Sequence, residues 1–146
     1  LVLYSASVVT EYLDERYPHP PLMPIDPLSR ARLRLAMLRL EHEWVPHVQA
    51  AQAPGSKAQG DHAKKQLRDL VLASLPLFKA SKFFLNPEMS LADCAMAPII
   101  WRLPSLGIVL PKEAKPIEDY GMRIFRNPGF VRSLTPEEKN LRELPA

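Results

Sequence analysis

Glycine and cysteine are scarce in this sequence. Five glycines in 146 residues leave few sites for left-handed turns, and no glycine-rich phosphate loop or Gly-x-Ser-x-Gly elbow occurs. A single cysteine, Cys94, excludes an internal disulfide and fits a reducing compartment. The longest apolar run, Cys94 to Trp101, is far short of the roughly 20 residues that cross a bilayer. No basic stretch followed by an apolar one opens the chain, so no signal peptide is read. The expectation is a cytoplasmic protein without a membrane partner. Charge of one sign is not concentrated either. A net charge of +3 without a block of like charges makes no case for direct nucleic-acid binding. The four histidines, His19, His42, His47 and His62, form no HExxH and no zinc spacing with cysteine, so no metal, cofactor or catalytic residue is expected.

What is present is enough for a core. Apolar residues make up 47% of the chain and charged residues 24%, the balance of a globular protein. A chain of this mass buries about two-thirds of its surface. Sixteen prolines set against five glycines imply stiff corners rather than flexible linkers.

Leu1 to Tyr4 read as a short strand, with Ser5 or Ser7 capping a following helix. In that helix Val8, Val9, Tyr12 and Leu13 repeat at helical spacing, and Glu11, Asp14, Glu15 and Arg16 form the wet face. Asp26-Pro27 reads as a cap and first helical residue. Leu33, Met37, Leu40, Trp44 and Val48 mark the buried face of the long helix that follows, which Pro46 should kink. Residues 53–60 read as a loop, with Gly60 among its breakers, and Asp61 as the start of the next helix. Ser90-Leu91-Ala92-Asp93 has capping-box spacing before an apolar segment of central-helix character. Within it Cys94 reads as buried filler. Pro116 to Phe125 reads as a helix, and Thr135-Pro136-Glu137-Glu138 opens a last one to about Leu144.

The segment Tyr17-Pro18-His19-Pro20-Pro21 is the densest cluster of unusual residues. Its prolines remove amide donors and bias their neighbours to extended geometry. Two readings stand side by side: a rigid corner between helices, or a pre-stiffened surface that offers rings and an imidazole to a partner at small ordering cost.

Glu11 to Pro24 resembles the interdomain segment of the stringent starvation protein A family, and the likeness continues at Ser90 to Cys94 and at Ala97 to Ile108. Ser90-x-x-Asp93 belongs to the wider glutathione-transferase-like fold. The resemblance implies a mainly α chain: a strand–helix remnant of a thioredoxin-like domain over residues 1–17, a proline-rich linker over 18–25, and a helical glutathione-transferase C-terminal-like domain over 26–146. It implies a homodimer without transferase activity that associates with RNA polymerase holoenzyme and its sigma factor and regulates transcription under stress. The implied contact is Tyr17, Pro18, His19, Pro20 and Pro21. The alternative it carries is a glutathione-dependent transferase or glutathione-binding protein. Two departures bear on these implications. Ser5-Ala6 stands where the family has Glu-Ser, and Asp26 where it has a tyrosine.

Overall fold

The computed structural model describes residues 2–143. Helices follow one another as α1 (Ala6–Arg16), α2 (Pro27–Arg39), α3 (Val45–Gln52), α4 (Lys57–Ala73), α5 (Leu75–Ala80), α6 (Leu91–Arg102), α7 (Lys115–Phe125), α8 (Pro128–Ser133) and α9 (Pro136–Lys139). Residues 2–4 form no strand, and Leu1 lies outside the described residues. The expected strand is thus not seen among residues 2–4. Val2 and Tyr4 are 90% and 86% exposed, and among the described residues nothing supplies the ladder a strand needs. Ser5 occupies the N-cap position at φ 71° without capping; its hydroxyl pairs with Ser7 Oγ at 2.9 Å.

Asp26 caps α2 as the sequence implies, accepting the Ser29 amide at 2.8 Å with Pro27 as the first helical residue. The expected kink near Pro46 takes the form of a π-helical turn over Leu40–Trp44, immediately upstream of a proline that donates no amide. α4 starts at Lys57 rather than Asp61, capped by Ser56, and takes Gly60 inside it. Gly60 is no breaker: a Cβ there would stand 3.0 Å from the Pro54 ring, so the absent side chain lets the loop pack onto the helix. The last helix ends at Lys139, short of the expected Leu144, which lies outside the described residues.

α6 is the centre. Leu91, Ala92, Met96, Ala97, Ile99, Ile100 and Trp101 are buried, and Trp101 stacks edge-on against Phe125 at 4.8 Å. Its N-terminus carries the expected box: Asp93 accepts the Ser90 amide at 2.8 Å, and Ser90 Oγ accepts the Ala92 amide. Asp93 also accepts the Phe84 amide at 2.9 Å and the Tyr120 hydroxyl at 2.8 Å, so one carboxylate joins three segments. The far end of α6 is held from downstream. Trp101 Nε1 donates to the Glu138 carbonyl, Arg102 pairs with the Glu138 carboxylate, and the Arg142 guanidinium donates to the Ile100 carbonyl. Residue 104 is a proline, so Ile100 has no α-helical amide to accept; the Leu103 amide at 3.4 Å and the Arg142 guanidinium at 3.0 Å donate to its carbonyl.

The accessible surface is 9264 Å², against roughly 7,500 Å² for a compact monomer of this mass. Part of the excess is apolar and lies on α1 and α2, where Val8, Tyr12, Leu35 and Leu38 are 41–59% exposed.

Candidate functional site

α1 ends because Tyr17 is followed by proline. The Tyr17 amide makes the last helical bond, to the Leu13 carbonyl at 2.9 Å, and the Arg16 guanidinium lies 5.2 Å from the Tyr17 ring centre. The His19 amide then bonds the Tyr17 carbonyl at 2.9 Å, and the His19–Pro20 peptide is cis. Tyr17, Pro18, His19, Pro20 and Pro21 are all exposed, Tyr17 by 67%. The structure therefore brings the five sequence-predicted residues together on one projecting loop.

The loop is fixed from its base. Asp14 was expected on the wet face of α1; it is buried instead, 9% exposed. Its Oδ1 accepts the Leu22 amide at 2.7 Å and its Oδ2 the Met23 amide at 3.2 Å. The Leu22 carbonyl accepts the Leu91 amide from α6 at 3.0 Å, and the Met23 side chain is 6% exposed in the core. One residue later Arg30 Nη1 donates to the Pro24 carbonyl at 3.1 Å, while Nη2 lies 3.6 Å from Glu15. Arg34 grips Glu11 with two bonds of 2.7 and 2.9 Å, and this holds the Glu11 carboxyl below its ordinary value. Arg30 and Arg34 share a face, as their spacing implies, and that face meets α1. The sequence reading missed Asp14, Glu15 and Arg30 as parts of this frame. A local signal for Asp14 existed only in its place beside a proline-rich segment short of amide donors.

A second feature is a groove of about 330 Å³ between α1, α2, the π-turn and α6, lined by Ala6, Thr10, Met37, Leu40 and Cys94. Cys94 is exposed on this side rather than buried filler, because it faces the open groove between α6 and its neighbours. Its thiol is pushed up to about 11, first by desolvation in the apolar groove and then by the Asp93 and Asp14 carboxylates. At neutral pH it stays protonated and is a poor nucleophile. Among the described residues no group of three His, Cys, Asp or Glu side chains is placed to hold a metal. None of the described helices is long and apolar enough to cross a membrane.

The profile of the glutathione S-transferase C-terminal domain matches residues 35–128. The chain is 44% identical over 147 aligned residues to the stringent starvation protein A homolog of Histophilus somni, covering 98% of this chain and 68% of the relative. The chain belongs to the stringent starvation protein A family. A family member from Coxiella burnetii is 40% identical, with 99% of this chain and 69% of the relative covered. The curated family members matched here are longer than this chain, which spans 63–69% of their length. The helical arrangement is also that of a theta class glutathione S-transferase from Xanthomonas axonopodis pv. citri, solved with glutathione bound. The TM-score is 0.80 at 17% identity, over 92% of this chain and 68% of that one, so the likeness is one of fold.

Proposed function

We propose that this family member is a transcription regulator without transferase activity, which associates with RNA polymerase holoenzyme and its sigma factor in the stress or starvation response. The contact is the loop Tyr17-Pro18-His19-Pro20-Pro21. The observation that carries this reading is the contrast within the loop. All five residues are exposed, while the residues immediately after them are clamped to α1 and α6. A surface of rings and one imidazole, fixed before binding, loses little freedom when a partner covers it. The names of the curated relatives support the same reading.

Within the proposal, residues 1–17 are the end of a thioredoxin-like domain, 18–25 the linker and 26–146 the helical domain. The protein works as a homodimer in the cytoplasm. The exposed apolar side chains of α1 and α2 support the dimer. The competing reading, a glutathione-dependent protein, draws on the fold neighbour solved with glutathione. Against it stand the protonated Cys94 thiol and the pair Ser5-Ala6, which offers no carboxylate.

The test is capture of RNA polymerase holoenzyme by the chain, beside a variant carrying Pro18→Ala, His19→Ala and Pro20→Ala, with circular dichroism establishing that both are folded. The expected result is that the parent retains polymerase and the variant does not. Equal capture by both removes the loop from the contact. Saturable glutathione binding by a parent that ignores polymerase turns the assignment to the competing reading.

A further inference from the structure

We propose that Asp14 is the positioning residue of the exposed loop: its carboxylate sets the conformation in which Tyr17 to Pro21 are presented, without itself touching the partner. The proposal rests on the reading of that loop as the polymerase contact.

The argument begins with donors. Residues 17–21 contain three prolines, which donate nothing, and the one backbone bond within the segment runs from the His19 amide to the Tyr17 carbonyl. The described hydrogen bonds include none made by the side chains of these five residues, and all five face solvent. The prolines stiffen the segment internally, and its two ends set where it points. The entrance is the last turn of α1. The exit is held by three hydrogen bonds at consecutive residues: the Leu22 and Met23 amides donate to the two oxygens of Asp14, and the Leu22 carbonyl accepts the Leu91 amide. Because Asp14 sits on α1, its carboxylate ties exit to entrance and closes the loop on itself.

The chemistry requires an anion at this position. Two N–H donors converge on one side chain, one on each oxygen. An amide of the same shape offers one acceptor oxygen and turns its NH2 toward the other donor. Asp14→Asn therefore keeps volume and removes one bond while opposing two donors. No arginine or lysine side chain is bonded to Asp14 among the described contacts, so its charge is met by backbone dipoles. That leaves the carboxylate matched to this loop geometry rather than to a salt bridge.

The experiment compares the full chain, Asp14→Asn and Val71→Ala for helicity, melting temperature and apparent affinity for RNA polymerase holoenzyme. Val71 is fully buried in α4, away from the loop, and its truncation lowers stability without touching the contact. The expected result is at least a tenfold loss of affinity for Asp14→Asn, measured where both variants are folded, against less than twofold for Val71→Ala. Affinity within twofold of the parent in Asp14→Asn overturns the proposal. So does an equal loss in both variants, because the effect then tracks stability. If the parent itself ignores polymerase, the contact reading fails while Asp14 is still judged by amide exchange at Leu22 and Met23 and by the His19 ring resonances. A tenfold loss of protection with shifted His19 signals in Asp14→Asn alone supports positioning, and unchanged exchange overturns it.

Discussion

Two carboxylates among the described residues are buried, and they hold very different things. Asp93, at 0% exposure, binds the Phe84 and Ser90 amides and the Tyr120 hydroxyl, so the N-terminus of α6, the segment before it and α7 meet on one side chain. Asp14, at 9%, binds two consecutive amides of a surface loop. The bonding chemistry is the same, a carboxylate accepting backbone N–H groups in place of water. The difference lies in what is left behind when it goes. Loss of Asp93 strands donors inside the core, whereas loss of Asp14 strands one buried amide, Met23, and one part-buried amide, Leu22, which water can reach in part. One acid specifies the domain and the other specifies a shape on its surface.

The sharpest way to break this comparison is Asp93→Ala. With two amides and a buried hydroxyl left unpartnered, the expected cost is about 3–5 kcal/mol, read as a lower urea midpoint. A cost near 1 kcal/mol would place the two acids on the same footing. Asp14→Asn is expected to cost about 1–2 kcal/mol in the same titration, with helicity retained. Tyr120→Phe isolates a single donor to Asp93 and is expected to cost about 1 kcal/mol, checked by the same unfolding curve.

The smallest effect concerns the exposed tie between α1 and α2. Glu11→Gln is expected to cost about 0.5 kcal/mol, because solvent screens a pair whose side chains are 24% and 48% exposed. Its sign with pH is definite. Arg34 holds the folded-state carboxyl of Glu11 below its ordinary value, so the stabilisation is present above the ordinary carboxylate range. It is lost as pH falls through the lowered value. Parent and Glu11→Gln melting temperatures should converge there.

The legibility of these features in the sequence follows from distance along the chain. Asp26-Pro27 and Ser90-x-x-Asp93 are local devices whose partners lie within three residues, and both form as read. Asp14 binds amides eight and nine residues on, across a loop, and helical periodicity alone put it on the wet face. Cys94 sits in an unbroken apolar run, but burial depends on what packs around the helix, and one side of α6 meets an open groove. Gly60 reads as a breaker because propensity is local, while its use here is a close approach to Pro54. The 17–21 loop was legible as a stiff surface element, since its prolines act through their own covalent geometry. The frame of Asp14, Glu15 and Arg30 was not, because each acts at a distance.

The grip on the far end of α6 has a consequence for synthesis. The helix at the centre of the domain is finished by Glu138 and Arg142, which leave the ribosome after everything they hold. A nascent chain can pair Ser90 with Asp93 early, yet the Trp101 indole waits for a carbonyl 37 residues further on. The local pair at the amino-terminal end of α6 is available before the partners of its carboxyl-terminal end have been made. A chain ending before Glu138 would leave the Trp101 indole and the Arg102 guanidinium without their partners.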